Sequence, residues 1–181
     1  VEAFFDAADA GQYLGFGFLL TSLLLLISDN VRHTRVNEDG EKVEIKGKKM
    51  KSMRVTDALV IGCMQGVGVL PGVSRSGSTI SGALFSGLSR KTAADFSFLM
   101  SIPAIIGGAI FEVPDAIKTG LGDMHWTTLV AGMLVAGITG YFAIKIMINA
   151  IKKKKLLGFV IYTAVLGALV LVDQFVTHIF F

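Results

Sequence analysis

Apolar positions in this chain come in long blocks, not in strict alternation, and polar residues gather between the blocks. Four apolar runs, 11–28, 93–113, 126–150 and 156–177, approach or exceed the roughly 20 residues a helix needs to cross a bilayer. The region 55–89 is different: it has too many residues for one crossing and few for two. As a helix, Val55–Leu70 would extend only ~24 Å at ~1.5 Å per residue. Pro71 then stops it, because proline offers no N–H and clashes with the preceding turn. Ile80–Leu88 resumes the apolar pattern without a charge. The pattern predicts two half-helices meeting at a polar tip, a re-entrant hairpin. The expected fold is an all-α integral membrane protein in one membrane domain, with about four transmembrane helices plus one re-entrant helix-loop-helix hairpin. The segment 31–54 is the one sizeable polar insertion and reads as a cytoplasmic loop. Within it Thr34-Arg35-Val36 and Lys42-Val43-Glu44-Ile45 flank a turn containing Asp39-Gly40, the pattern of a small β-hairpin.

Composition agrees with a membrane setting. Of 181 residues 52% are hydrophobic and only 17% charged, against ~25% charged in soluble domains. The charges are also one-sided. If 55–89 enters and leaves on one face, that face holds fourteen of the 17 Lys and Arg residues: Arg32, Arg35, Lys42, Lys46, Lys48, Lys49, Lys51, Arg54, Arg90, Lys91 and Lys152–Lys155. Lys118 alone lies opposite, while Arg75 and Lys145 lie within apolar segments. The positive-inside rule makes the basic face cytoplasmic. The opposite face carries Glu2, Asp6, Asp9, Glu112, Asp115 and Asp123. Two short full crossings in place of the hairpin would keep the same parity. Basicity, with a pI near 9.0, is thereby explained by topology and not by nucleic acid, which is not an expected partner. Cys63 is the single cysteine, so an internal disulfide and a cysteine metal cluster are excluded; it reads as a small packed residue. The chain starts at Val1 without an initiator Met or a basic leader, and reads as processed or as a fragment.

The chemistry is concentrated at the tip, Pro71-Gly72-Val73-Ser74-Arg75-Ser76-Gly77-Ser78-Thr79. A charge at bilayer depth costs several kcal/mol or more unless paired or hydrated, which marks Arg75 as a functional candidate. With Ser76 as N-cap, the second half-helix would begin at Gly77 and aim its free N–H groups at the membrane interior. Arg75 adds a planar fork of donors suited to phosphate oxygens. Ser74, Ser76, Ser78 and Thr79 add hydroxyls, and Gly72 and Gly77 let the backbone approach closely. The inferred ligand is an oxyanion, foremost a phosphate. The competing reading is a packing device in which Arg75 pairs with an acid or with carbonyls. A transporter with a broken-helix anion site would present the same tip, and a structural membrane subunit remains a third reading. Asp57 and Asp95 admit a functional role, but they lie within three to five residues of Arg54 or of Arg90 and Lys91, and interfacial pairing is the preferred reading. His33, His125 and His178 fall near predicted boundaries or loops.

Gln65 followed by Pro71–Ile80 resembles the second signature of the bacterial undecaprenyl-diphosphate phosphatase family, also known as the bacitracin resistance protein family. Ser89-Arg90-Lys91-Thr92-Ala93-Ala94-Asp95-Phe96-Ser97-Phe98-Leu99-Met100-Ser101-Ile102-Pro103-Ala104 is similar to that family's next helix. The resemblance extends over essentially the whole chain. It implies two inverted repeats with a re-entrant hairpin each, in a multi-pass protein of the bacterial plasma (inner) membrane. The implied activity is hydrolysis of undecaprenyl (polyprenyl) diphosphate to the monophosphate and inorganic phosphate. That reaction recycles the lipid carrier for cell-wall synthesis. The membrane and the polyprenyl diphosphate are then the partners, and a homodimer is admitted. By position, Arg75 and Ser74 carry over as catalytic candidates, and Gly72, Ser76, Gly77, Ser78, Thr79 and Gln65 as substrate-binding candidates. Ser74 is the weaker of the two catalytic candidates, since no base follows it at a readable spacing. The family's Glu-x-x-x-Glu and Pro-x-Ser-Ser-x-Gly-His segments do not occur here. The chain therefore resembles the C-terminal two-thirds of a member. The divalent cation that the resemblance implies, Mg or Ca, would find its ligands outside this chain, so no metal-binding residue is assigned. On this reading the chain alone is inactive or nearly so.

Overall fold

The computed structural model describes residue 11 and residues 13–30, 34–36, 42–44, 47–119, 126–152 and 156–177. Among the described residues six α-helices dominate: α1 Leu14–Asn30, α2 Val55–Val67, α3 Arg75–Phe85, α4 Arg90–Thr119, α5 Trp126–Lys152 and α6 Leu156–Val172. α6 continues as a π-helical turn, Asp173–Thr177. Among the described residues three helical stretches are long and apolar enough to cross a membrane: Arg90–Pro114, Trp126–Ile151 and Leu156–Val176. The run 11–28, expected as a fourth, gives an apolar helix of 17 residues, about 26 Å at ~1.5 Å per residue, shorter than the other three.

The polar insertion contains β1, Thr34–Val36, paired antiparallel with β2, Lys42–Glu44, in the register Thr34↔Glu44, Arg35↔Val43 and Val36↔Lys42. The expected turn at Asp39-Gly40 lies outside the described residues. So do Glu2, Asp6, Asp9, Arg32, Lys46, Asp123, Lys153–Lys155 and all three histidines.

α2 and α3 pack side by side and are tied together at their base. Lys48 N–H donates to the Gly87 carbonyl at 2.8 Å, and Ser89 N–H donates to the Lys48 carbonyl at 3.0 Å. This bridge sets the approach to α2 against the exit from α3, so the two helices run in opposite directions. α2 ends at Val67, three residues before the expected Leu70. Beyond it the chain tightens into turns, with Val69 N–H donating to Gly66 O at 3.1 Å and Leu70 N–H to Val67 O at 3.2 Å; a Cβ on Gly68 would lie 2.6 Å from Arg75 Cα. α4 starts at Arg90, three residues before the apolar run, because Ser89 caps it: its Oγ accepts from Thr92 N–H at 3.2 Å.

Two ion pairs brace this end. Lys48 Nζ meets both Asp57 oxygens at 3.0 and 3.1 Å. Arg90 donates to Asp29 Oδ1 at 2.7 Å, joining α4 to the end of α1. Asp57 is held in an ion pair, as expected, but its cation is Lys48; Arg54, the cation nearest in sequence, contributes its backbone N–H at 2.9 Å. Asp57 sits in the first turn of α2, where it takes that N–H as a cap would.

The buried core gathers near the same end, from Ile61, Ile80, Ala83, Leu84, Leu88, Ala93, Ala94, Ile151 and Leu156. Elsewhere large apolar side chains such as Ile110, Phe111, Leu134, Phe142 and Leu169 are exposed, as lipid-facing residues are. Cys63, expected to be packed, is exposed on α2. α1 crosses α6 through small residues: a Cβ on Gly167 would meet Gly15 O at 3.0 Å. Ser22 Oγ adds a hydrogen bond to Val160 O at 2.9 Å across that crossing.

Candidate functional site

The loop between α2 and α3 is fixed by its own glycines and by α1. Gly72 takes φ +78°, a left-handed conformation that costs glycine little. A Cβ there would lie 2.2 Å from Leu14 O, and one on Gly17 would lie 2.2 Å from Pro71 O. Tip and α1 therefore touch backbone to backbone. Thr21 of α1 then receives the Ser74 N–H at 2.9 Å.

Ser74 is the N-cap of α3, and its Oγ accepts from Gly77 N–H at 3.1 Å. The expectation of Ser76 as the cap, with the helix starting at Gly77, is corrected by two residues. Thr21 settles the matter by holding the Ser74 backbone in its extended conformation, which aims the hydroxyl at the N–H three residues on. Gly77 N–H is thus taken. The N–H groups of Arg75 and Ser76, at the first two helical positions, have no acceptor within the helix.

Arg75, Ser76 and Thr79 of α3 line one cavity of about 320 Å³ with Gln65 of α2. Its other walls are Ser97, Phe98 and Ser101 of α4 and Ile144 of α5. Arg75 is exposed and belongs to neither of the two salt bridges found among the described residues. The packing reading, in which an acid neutralises it, finds no such acid there. Thr79 Oγ1 donates to the Arg75 or Ser76 carbonyl, at 3.0 and 3.1 Å.

On the other side of the tip lies a larger, mainly apolar cavity of about 510 Å³. Gly72, Ser74, Ser76 and Gly77 border it, facing Leu14, Phe18 and Leu25 of α1 and Phe159 and Tyr162 of α6. Ser76 borders both cavities. Ser78 lines neither; it is buried at 1% exposure with its hydroxyl unpartnered. A Cβ on Gly77 would lie 3.1 Å from Ser74 Oγ, so that glycine makes room for the cap.

Sequence reasoning missed Thr21, Ser97 and Ser101 as residues of this neighbourhood. Ser97 and Ser101 stand four apart in an otherwise apolar stretch, which puts both hydroxyls on one helical face. That spacing was the available signal. Thr21 gave none beyond being a hydroxyl in an apolar run. No group of three or more His, Cys, Asp or Glu side chains able to hold a metal ion occurs among the described residues.

A family model described as "Bacitracin resistance protein BacA" matches residues 2–169. The chain is 44% identical over 153 residues to the undecaprenyl-diphosphatase of Alkaliphilus metalliredigens, covering 84% of this chain and 54% of that one. It is 37% identical over 159 residues to the undecaprenyl-diphosphatase of Halothermothrix orenii, covering 88% of this chain and 57% of that one. The undecaprenyl-diphosphatase of Methanothermobacter thermautotrophicus is 39% identical over 170 residues, with 94% of this chain and 86% of that one covered. The chain thus spans little more than half the length of the first two and most of the third. A match that takes in the hairpin, its tip and the helices around both cavities identifies the lineage: the chain belongs to the BacA bacitracin resistance protein family.

Proposed function

We propose that the natural protein hydrolyses a polyprenyl diphosphate, foremost undecaprenyl diphosphate, to the monophosphate and inorganic phosphate. Water cleaves the phosphoanhydride bond, and the lipid monophosphate leaves as the carrier returned to cell-wall synthesis. The observation that carries this reading is the convergence of Arg75, Gln65, Ser76 and Thr79 on one cavity beside a helix N-terminus, in a chain whose relatives bear the name undecaprenyl-diphosphatase.

The residues divide the work as follows. Arg75 spreads its fork of donors over the diphosphate oxygens and offsets charge on the transferring phosphoryl group. Gln65, Ser76 and Thr79 line the same space, and Gln65 and Ser76 orient the headgroup. Ser74 acts through position: its hydroxyl caps α3 and so sets where Arg75 and Ser76 point. Gly72 and Gly77 shape the loop, and Ser78 supports it from the buried side. Phosphoryl transfer also calls for charge neutralisation and a positioned water or nucleophile. Among the described residues no group of side chains fits a cation site, so no step is assigned here to the Mg or Ca ion that the resemblance implies.

The same reading places the protein in the bacterial plasma (inner) membrane as a multi-pass chain, with the basic end cytoplasmic and a homodimer as an admissible assembly. α2 and α3 enter and leave from the cytoplasmic side as a re-entrant hairpin. The chain supplies one half of an inverted-repeat site. Support comes from the backbone bridge at the base of the hairpin and from the concentration of lysine and arginine there.

Arg75→Lys tests the reading in the full-length natural protein. Lysine keeps the charge and loses the fork, so phosphate release from the lipid diphosphate should fall to a small fraction while expression stays normal. Near-normal turnover in that variant would show that Arg75 does not clamp the substrate.

A further inference from the structure

Ser97 is bonded differently from the hydroxyl that shares its helical face and from several others in these apolar helices. Ser86, Ser101 and Thr163 each donate to a carbonyl about one turn back, at 2.9, 2.7 and 2.8 Å. That is the default for a serine or threonine within a helix. Among the described residues Ser97 has no such bond; its partner is Thr79 Oγ1, across the contact between α4 and α3. Both residues are deeply buried, Ser97 at 4% and Thr79 at 2% exposure. What remains uncovered of them faces the cavity that holds Arg75.

The protons of this pair can be counted. Each hydroxyl has one proton and two acceptor positions. Thr79 can donate to the Arg75 or Ser76 carbonyl. Ser97 then donates to Thr79 and shows the cavity lone pairs only. Alternatively Thr79 donates to Ser97, and the Ser97 proton turns into the cavity. An oxyanion beside Arg75 favours the second arrangement, because only there does it gain a donor.

We propose that Ser97 is a phosphate-oxygen donor of this site, contributed by α4 and aimed by Thr79. This rests on the reading of the cavity as a diphosphate site. Thr79 is then a positioning residue, whose hydroxyl proton chooses between its own helix and Ser97. The occupant is a phosphate or diphosphate group seated between Arg75 and Ser97, with the helix N-terminus of α3 on the same side.

The test is calorimetric titration of the full-length natural protein in detergent with inorganic pyrophosphate, beside phosphate release from farnesyl diphosphate. Ser97→Ala should weaken pyrophosphate binding about tenfold or more, as expected for one hydrogen bond to a charged group. KM for farnesyl diphosphate should rise with it. Thr79→Val added to Ser97→Ala should change binding less than about twofold, because its effect passes through Ser97. Ser97→Cys, which keeps the volume with a weak donor, should behave as the alanine variant does. A folding defect would lower the number of binding sites per chain and leave their affinity intact, so stoichiometry separates the two causes. Wild-type affinity in Ser97→Ala, with Arg75→Ala still abolishing binding, would overturn the role of Ser97 and leave the diphosphate site standing. If the unmodified protein neither binds pyrophosphate nor releases phosphate, the diphosphate reading itself falls, and this role with it.

Discussion

Thr21 and Ser74 stand 53 positions apart and share one hydrogen bond, from the Ser74 backbone N–H to Thr21 Oγ1 at 2.9 Å. Thr21 passes its own proton back to Gly17 O at 3.1 Å. A single hydroxyl of α1 thereby holds the residue that caps α3. The adjacent Ser22 bonds to Val160 O, so the two neighbours stitch α1 to the hairpin tip and to α6. The cap decides the direction of Arg75, and α1 decides the cap.

Thr21→Val is the cleanest probe of that relationship. Valine keeps the shape and removes the acceptor, leaving a part-buried N–H unpaired at about 1–3 kcal/mol. Phosphate release should drop ten- to hundredfold, since small misplacements of a positioning group cost on the order of 10²-fold. Thr21→Ser should retain most of the rate. Equal rates for the valine and serine variants would mean that the tip holds its geometry without α1.

The close approach of α1 and the tip makes a second, purely structural prediction. A Cβ on Gly17 or Gly72 would meet backbone oxygens at 2.2 Å, and backbone cannot swing aside as a side chain can. Gly17→Ala and Gly72→Ala should each cost about 2–4 kcal/mol through overpacking, with left-handed strain added at Gly72. Gly62 has nothing within 4 Å of its would-be Cβ. Gly62→Ala should stabilise by up to about 1 kcal/mol, since alanine is the better helix former. Thermal unfolding in detergent ranks the three, and a Gly17→Ala protein as stable as Gly62→Ala would show that the contact is looser than described.

Local patterns made much of this architecture legible, and remote contacts account for the rest. The β1–β2 pairing was readable because β-forming residues bracket an Asp-Gly turn signal within a dozen positions. The two short helices were readable because Pro71 interrupts an apolar stretch. The choice between Ser74 and Ser76 as cap was not, because both have the same capping chemistry and the deciding atom belongs to Thr21. Proximity in sequence points Asp57 to Arg54, whereas Lys48 reaches it because Lys48 is bridged to Leu88 at the end of the hairpin. Ser97 and Ser101 share a helical face in plain view. Nothing in α4 itself says that this face meets Arg75, which is a property of how α3 and α4 pack.

Topology can be read directly by labelling. With the basic end cytoplasmic, cysteines introduced at Gly40 and at Asp123 should react from opposite sides of the membrane. The background must carry Cys63→Ala, because Cys63 is exposed on α2 and would contribute its own signal. Labelling of both sites by an impermeant reagent applied outside would contradict the proposed orientation.

The last prediction concerns residues 1–181 by themselves. The described site offers one arginine, a glutamine, hydroxyls and a helix N-terminus, which suffice to bind a phosphate group. It offers no cluster of carboxylates or imidazoles for a cation and no base beside Ser74. Binding alone does not accelerate hydrolysis unless charge developing in the transition state is also met. The 181-residue chain should therefore bind inorganic pyrophosphate measurably and release phosphate from a polyprenyl diphosphate at a rate near background. The Methanothermobacter relative sharpens the comparison, because this chain covers 86% of it. That relative should be assayed in parallel, with and without the N-terminal repeat of a longer relative supplied as a separate chain. Robust hydrolysis by residues 1–181 alone would place the whole catalytic apparatus around Gln65, Arg75, Thr79 and Ser97, and would remove the need for a second repeat.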